Sequence, residues 1–158
     1  MARYSTNLMR YLDLRKIKYS VIDDYTLTVS YSCENIDSLR VVVFFDKDGA
    51  NQVHLMASDI ASFKGGAEKN LKGFITCNLL NSKVRWAKFY LDDDFDMVVD
   101  CDATVDSDTV GEECTSLIMR IVNIVDEAYP TIMKALWALL YKCLRFNNTI
   151  LIILIQFQ

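Results

Sequence analysis

The spacing of hydrophobic and polar positions changes along the chain. Between Ser5 and Lys16 the apolar residues Leu8, Met9 and Leu12 recur at helical intervals, which predicts an N-terminal α-helix. From residue 19 the period shortens to two, as in the runs YSVID, TLTVSYSC, LRVVVFF and QVHLMAS. Such alternation predicts the strands of a sheet with one buried face.

Helical spacing returns in two later segments. The first follows the pair Gly65–Gly66 and is predicted to run from Ala67 to about Asn81. The second begins near Thr109 and has a long apolar stripe at intervals of three and four, formed by Cys114, Leu117, Ile118, Ile121, Val122, Val125, Ala128, Tyr129, Ile132, Met133, Leu136, Trp137 and Leu140.

The only proline of the chain, Pro130, lies inside this stripe. It lacks the N–H that would bond the carbonyl group of Asp126, so we expect a kink or a break there and two helical arms on one core. The predicted fold is α+β, with an antiparallel β-sheet packed by an N-terminal helix, a middle helix and a long C-terminal helix kinked near Pro130.

The stretch VRWAKFYLDDDFDMVVDCDATVDSD, residues 84–108, predicts an acidic hairpin. With a turn centred on Asp94, one side of its strands is wholly apolar and pairs Leu91 with Met97, Phe89 with Val99 and Ala87 with Cys101. The more polar side pairs Tyr90 with Val98, Lys88 with Asp100 and Trp86 with Asp102. A shift of half a residue would mix the two sets, so the register is well determined.

The aspartates of this hairpin are predicted to be structural. Asp92, Asp93, Asp94 and Asp96 occupy the turn, where short carboxylates bond nearby backbone N–H groups. The functional alternative is a calcium loop, which needs a glycine at its sixth position and a glutamate at its twelfth. Counted from Asp92, those positions hold methionine and alanine. We therefore predict no metal site here.

The polar side of the hairpin carries the candidate binding residues, Trp86, Lys88, Tyr90 and Val98. Two large aromatic side chains beside a lysine resemble the anchors of a protein interface. The alternative is that a helix covers this side, and the sequence leaves both interpretations open.

Composition and charge argue against several classes of function. The 158 residues suit one domain, and a hydrophobic content of 52% allows a full core without disulfide or metal cross-links. A net charge of −4 argues against a general nucleic-acid binder, which needs a basic face. The five cysteines are scattered without a C-x-x-C pair, so we expect reduced thiols in a cytoplasmic protein, with neither zinc nor thioredoxin chemistry.

Catalytic patterns are missing from the sequence. The only histidine, His54, alternates with apolar neighbours in a predicted strand, and no G-x-S-x-G, H-E-x-x-H or G-x-G-x-x-G occurs. We predict no catalytic residue, no enzyme activity and no cofactor.

The two ends of the chain differ in character. The start, MARYSTNLMRYLDLRK, has charges throughout and is no secretory signal. The end, TILIILIQFQ, is too short to span a bilayer. We assign residues 1–144 to one domain and residues 145–158 to an apolar tail. Ile150 to Gln158 suits a final strand, a partner-bound edge or a non-native tail, and the three remain open.

The segments NLLNSKVRWAKFYLDDDFDMVVDCDATVD and DEAYPTIMKALW resemble the YbjN family, described as bacterial sensory-transduction regulators. The shared pattern is a helix end with Asn78 and Asn81, an aromatic-lysine strand, an acidic turn and a second strand, and the likeness reaches from the first helix to about Tyr141. Phe95 stands where the family often has glycine, which leaves the turn type open. The resemblance implies a fold like the type III secretion chaperones, commonly dimeric, non-catalytic and able to bind protein segments.

Three functions follow from these observations. The first is a chaperone-like regulatory module that binds another protein or a second copy of itself. The second is a small-ligand sensor with a pocket between the sheet and the last helix, lined by Phe89, Met119, Met133 and Trp137. The third and weakest is a cysteine-dependent enzyme.

Overall fold

The computed structural model describes residues 3–48 and 51–143, with side chains as far as residue 137. Within these residues the chain forms three helices and six strands, which are α1 (Arg3–Leu14), β1 (Tyr19–Val21), β2 (Thr26–Ser32), β3 (Ser38–Phe45), β4 (Gln52–Ala57), α2 (Ala67–Asn81), β5 (Lys88–Leu91), β6 (Met97–Thr104) and α3 (Val110–Cys143). The predicted α+β class is confirmed. The tail predicted at residues 145–158, with Ile150 to Gln158, lies outside the described residues.

The strands join in one antiparallel sheet in the order β1-β2-β3-β4-β6-β5. The predicted hairpin register is confirmed over four pairs, Leu91 with Met97, Tyr90 with Val98, Phe89 with Val99 and Lys88 with Asp100. Strand β5 begins at Lys88, so the two further predicted pairs, which involve Ala87 and Trp86, fall outside the ladder. The backbone of Trp86 has a φ of 75°, which is incompatible with an extended strand.

All three helices pack on one face of the sheet. Helix α3 lies across β3, β4 and β6, α1 packs against α3, and α2 packs against α3 and β5. The inward side chains of alternate strand positions meet the apolar stripe of α3 in one core, whose members include Val29, Val41, Leu55, Val99, Ile118, Ile121 and Val125. The side chains that alternate along the strands and those that recur at helical spacing along α3 therefore face the same core.

Helix α3 continues through Pro130 as one helix. Of the kink or break predicted there, the break does not occur. Val125, Ala128 and Ile132 are buried on both sides of the proline, so the apolar stripe keeps its phase across it. Packing of this stripe against the core stabilises the helix across Pro130, where one backbone hydrogen bond is missing.

Two helix contacts depend on a glycine. A Cβ atom at Gly73 of α2 would stand 2.6 Å from a methyl group of Leu91 and 2.8 Å from the ring of Phe63. A Cβ atom at Gly111 of α3 would overlap the side chain of Tyr11 on α1. Non-bonded carbon atoms pack at about 3.5–4.0 Å. These glycines therefore set how closely α2 approaches the sheet and α1 approaches α3.

Candidate partner-binding surface

The face of the sheet opposite the helices carries no helix within the described residues. We call it the open sheet face. The register places its side chains in three rows across the strands, and they comprise Thr26, Phe44, His54 and Asp102, then Thr28, Val42, Met56, Asp100 and Lys88, then Val98 and Tyr90. The middle of this face is apolar except for Asp100, and the other charged side chains lie toward its ends.

Three of the four predicted binding residues lie on the open sheet face. Lys88 and Tyr90 alternate outward from β5, and Val98 lies opposite Tyr90 on β6. Val98 is only 3% exposed, although it is absent from the core cluster beneath the helices. Tyr90, which lies beside Val98, is 37% exposed and is the more accessible of the two side chains.

Trp86 occupies a different position. Its side chain is 74% exposed, and its ring centroid lies 5.5 Å from the guanidinium carbon of Arg120 on α3. This is cation–π geometry. Because Trp86 precedes β5 and leaves the extended conformation, strand alternation does not carry it onto one surface with Lys88 and Tyr90.

A carboxylate lies on the open sheet face between Met56 and Lys88. Asp100 pairs with Lys88 in the ladder, yet its Oδ1 atom is enclosed without a hydrogen-bond partner. Burial, followed by the nearby charge of Asp100, raises the pKa of Tyr90 above its usual value. The Tyr90 hydroxyl is therefore a hydrogen-bond donor at neutral pH.

The open sheet face also contains a histidine–carboxylate pair that the sequence did not predict. Nδ1 of His54 lies 2.8 Å from Oδ1 of Asp102, and the two residues are 48 positions apart in the chain. A carboxylate can only accept, so Nδ1 carries the ring proton. The ring of Phe44 lies 5.7 Å from that of His54. Cross-strand pairing is the signal that could have found this contact, because His54 and Asp102 are direct partners in the ladder.

A groove of about 680 Å³ begins at this pair and reaches α3, and it is lined by Asp46, Gln52, Val53, His54, Trp86, Cys101, Asp102, Ala103, Thr104, Leu117 and Arg120. It lies between the sheet and the last helix, as the sensor hypothesis expected. Its lining is different, because none of the four predicted residues takes part. Phe89 is enclosed in the core, and Trp137 is largely exposed.

In the acidic turn, an aspartate side chain accepts hydrogen bonds from the backbone. Oδ1 of Asp92 accepts hydrogen bonds from the N–H groups of Asp94 and Asp96, each at 2.9 Å. Phe95 adopts a φ of 64°, the left-handed value that glycine favours, and its ring packs edge-on against Phe74 of α2. In the part of the chain that the structure describes, no cluster of three or more histidine, cysteine, aspartate or glutamate side chains could hold a metal ion.

The comparisons with known proteins agree with this architecture. Residues 5–134 match the family model YbjN, described as "Putative bacterial sensory transduction regulator". The chain belongs to the YbjN family. A solved structure titled "Crystal structure of YbjN, a putative transcription regulator from E. coli" superposes with a TM-score of 0.56 at 15% sequence identity, covering 80% of this chain and 92% of that one. At this identity the likeness shows the shared fold alone.

No curated protein matches this YbjN-family sequence. None of the helices in the described part of the chain has the length and apolar character that crossing a bilayer requires.

Proposed function

We propose that this YbjN-family protein is a non-catalytic regulatory module that binds a protein segment on its open sheet face. The observation that carries the proposal is the apolar centre of that face, formed by Val42, Phe44, Met56, Val98 and Tyr90 around the carboxylate of Asp100. The solvent side of a one-layer antiparallel sheet is normally polar. An apolar centre with charged residues around it is instead the composition of a recognition surface.

The chemistry of this face indicates the kind of partner. Lys88 and Arg40 supply positive charge, and Asp100 and Asp102 supply negative charge, within and around the apolar centre. A segment with two or three large apolar side chains and flanking charges of both signs would bury the centre and pair with the rim. The tyrosine hydroxyl adds a directed hydrogen bond.

A cytoplasmic, non-catalytic role is supported by the state of the thiols. Cys33, Cys77, Cys101 and Cys114 are unpaired. Burial raises the pKa of Cys77 and of Cys101 to about 11, and that of Cys114 to about 12. Reactive cysteines have lowered pKa values and accessible sulfur atoms, so these three lack the properties of nucleophiles.

Affinity capture from native lysate, read by mass spectrometry, tests the proposal. The wild-type protein is compared with Met56→Ala/Tyr90→Ala, and with Trp86→Ala by itself. The matched control is Ile22→Ala, an exposed apolar residue that is 63% accessible and lies outside this group. Circular dichroism confirms the fold of each variant, and binding of the purified partner is then measured by calorimetry.

A partner retained by wild type and Ile22→Ala but lost by the double variant supports the open sheet face. Equal binding by all folded variants overturns it. Loss on Trp86→Ala alone would transfer the binding site to the groove beside α3.

A small-ligand sensor is the second candidate, and the groove between the sheet and α3 favours it. Trp86 and Arg120 supply a ring and a cation, and His54 and Asp102 supply polar groups. Binding to the folded state alone raises the melting temperature. A metabolite that raises the melting temperature of wild type, but not that of Trp86→Ala/Arg120→Ala, would support this function, and a flat response across the screen would reject it.

A further inference from the structure

Strand β6 is paired along only part of one edge. Its residues 97–100 pair with β5, and its residues 99–104 pair with β4 on the other side. Beyond Asp100, no strand in the described part of the chain lies on the edge that faces away from β4, because β5 begins at Lys88. Asp102 and Thr104 are exposed in this stretch. An unpaired strand edge presents backbone donors and acceptors that can bond an added chain.

The direction of the free backbone groups follows from a neighbouring hydrogen bond. The N–H of Val105 donates to the carbonyl oxygen of Asn51 at 2.8 Å, on the side of β4. Consecutive residues of a strand direct their N–H and C=O groups to opposite edges. The N–H and C=O groups of Thr104 and Asp102 are therefore directed away from β4, into the groove that reaches α3.

The hydrogen bonds of β5 lead to the same alternation. Asn81 bonds both the N–H and the C=O of Phe89 on the outer edge of β5, so these two groups do not face β6. The next residue pair, Lys88 with Asp100, therefore exchanges the bonds between the two strands. Counting on from Asp100, Asp102 has the same direction, and nothing of β5 lies opposite it.

Trp86 closes one end of the groove. Its φ of 75° turns the chain away from the line of β5, and its ring centroid lies 5.5 Å from the guanidinium carbon of Arg120. A strand added along residues 101–104 of β6 would continue the line of β5 and meet Trp86 at the Asp102 end. The added chain has to end there, because Trp86 and Ala87 occupy the next positions of that line.

The charges of the groove decide which terminus lies at Trp86. Arg120 lies at this end, whereas Asp46 follows β3 at the Thr104 end, where Gln52 pairs with Thr104. Among the side chains that the structure describes, neither Arg120 nor Asp46 takes part in an ion pair. A guanidinium group can bind a carboxylate through two hydrogen bonds. A peptide antiparallel to β6 would place its carboxylate at Arg120 and its ammonium group toward Asp46.

We propose that this groove binds a short free peptide in an extended conformation, added as an antiparallel strand beside residues 101–104 of β6 with its C-terminal carboxylate at Arg120. This inference deepens the second candidate function, the small-ligand sensor, by naming the class of its ligand. The groove volume of about 680 Å³ lies within the range of about 300–1,000 Å³ that is usual for ligand sites.

The register predicts which side chains the peptide carries. The residue opposite Ala103 points inward toward Leu117, and the small Ala103 side chain leaves room for an apolar group there. The residue opposite Asp102 shares the face of that carboxylate, which favours a basic side chain. The probe is therefore the tripeptide Ala-Leu-Lys with free termini. A ligand of this size is expected to bind with a Kd on the order of 10–100 µM.

Two methylated peptides test the strand addition. Calorimetry with the full chain compares Ala-Leu-Lys with versions that carry an N-methyl group on lysine or on leucine. The lysine N–H faces the carbonyl oxygen of Asp102, so its methylation should weaken binding by about tenfold or more. The leucine N–H faces away from β6, and its methylation is the matched control, which should change the Kd by less than about threefold.

Two protein variants test the same backbone groups from the other side. Thr104→Pro removes an N–H that faces the groove and leaves the ladder with β4 intact, so it should fold and bind about tenfold more weakly. Thr104→Ala keeps this N–H and should bind like wild type. Circular dichroism verifies the fold of both variants. In nuclear magnetic resonance, bound peptide should slow amide exchange at Asp102 and Thr104 and leave Ala103 unchanged.

The two termini are tested separately. Amidation of the C-terminus should weaken binding to wild type by about tenfold and should have no effect on Arg120→Gln. Acetylation of the N-terminus, or fusion of the three residues to the C-terminus of a carrier protein, should weaken binding by about threefold, because the ammonium group is lost. Met56→Ala/Tyr90→Ala should bind the tripeptide like wild type, so this site and the proposed function can fail independently.

Four results would overturn the proposal. The first is no binding of Ala-Leu-Lys at about 1 mM, far above the expected Kd. The second is equal binding of the two methylated peptides, which would assign the groove to side-chain contacts alone. The third is equal binding of the free and the carrier-fused peptide, which would make a protein C-terminus the ligand. The fourth is a metabolite that acts through Trp86 and Arg120 in a protein that ignores the tripeptide, which would leave the sensor function standing without this ligand.

Discussion

The carboxylate of Asp126 on α3 accepts a hydrogen bond of 2.7 Å from the backbone N–H of Asn35, in the loop between β2 and β3. The N–H groups of Glu34 and Ile36 donate to the same carboxylate, each at 3.2 Å. Three successive backbone donors thus converge on one side chain. The contact fixes the loop to α3 one turn before Pro130, where the helix lacks a backbone hydrogen bond of its own.

Asp126 is expected to make stability depend on pH in the acid range. Desolvation raises its pKa, but the hydrogen bonds from Asn35, Ile36 and Glu34 together outweigh it and hold the pKa below the usual value. A carboxyl group whose pKa is lowered by folding stabilises the protein above its unfolded pKa, about 3.9 for aspartate. That contribution is lost as the pH falls through the folded-state pKa.

Asp126→Asn should therefore lower the free energy of unfolding at neutral pH and reduce its fall on acidification. Urea denaturation at a series of pH values from about 7 to about 3 measures both effects. Asp37→Asn, which changes an exposed carboxylate of the same loop, is the control. If Asp126→Asn and wild type lose stability in parallel on acidification, the carboxylate does not hold the loop.

Gly111→Ala should destabilise the fold. The added methyl group would overlap the side chain of Tyr11, so α1 must move away from α3. Overpacking of this kind typically costs about 1–3 kcal/mol, whereas alanine's better helix propensity contributes at most about 1 kcal/mol in a helix interior and less at Gly111, the second residue of α3. Ser116→Ala, on the exposed side of the same helix, should change stability by less than about 0.5 kcal/mol. If the two variants have equal midpoints in thermal denaturation, the contact between Gly111 and Tyr11 can accommodate a methyl group and the prediction is wrong.

The fold was predictable from the sequence wherever one face of an element is buried. The hairpin register of β5 and β6 followed from its apolar pairs, because a shift of one residue would place Phe89 and Val99 in solvent. Trp86 departed from the prediction for a local reason. Because of its positive φ, the strand begins at Lys88, two residues after the predicted alternation begins, and no composition rule for tryptophan signals this.

The candidate sites were less predictable from the sequence because they depend on which face of the sheet the helices cover. Alternation assigned Lys88, Tyr90 and Val98 to one side of the hairpin, and it could not say whether a helix covers that side. The outward α2 residues, such as Leu71 and Ile75, looked in the sequence like ordinary core positions. The packing of Gly73 against Phe63 and Leu91, together with the burial of Cys77 and Leu80, fixes which side of α2 faces outward.

Asn81 is expected to protect the free edge of β5. Its side-chain amide accepts a 2.7 Å hydrogen bond from the N–H of Phe89 and donates a 2.9 Å bond to the carbonyl oxygen of the same residue. It thereby occupies the backbone groups that an added strand would use. This contact gives a physical role to one asparagine of the helix-end pattern that the resemblance rested on.

Asn81→Ala should lower the free energy of unfolding by about 1–3 kcal/mol, because both backbone groups lose their partner beside a buried side chain. Asn81→Asp keeps the acceptor and loses the donor, so it should fall between wild type and alanine. Chemical denaturation orders the three proteins, and light scattering at high concentration reports association of the exposed edge. Asn78→Ala, which changes an exposed residue of the same helix, should match wild type in both measurements.

The thiols should differ sharply in their reactivity toward an alkylating reagent. Cys77, Cys101 and Cys114 are buried, with pKa values raised to about 11, 11 and 12. Cys33 is half-buried in the loop next to α3, and burial, followed by the charge of Asp126, raises its pKa as well. Accessibility therefore distinguishes the thiols, because all four are protonated at neutral pH.

In a Cys143→Ser background, native protein should take up one alkyl group slowly, at Cys33, and four after denaturation in urea. Mass spectrometry of the intact chain counts the groups, and peptide mapping locates them. Cys33→Ser in the same background should abolish native labelling, and Asp126→Asn should accelerate it by releasing the loop. Rapid native labelling of Cys101 would show instead that β6 opens, and it would revive a cysteine-dependent activity that its burial and raised pKa now oppose.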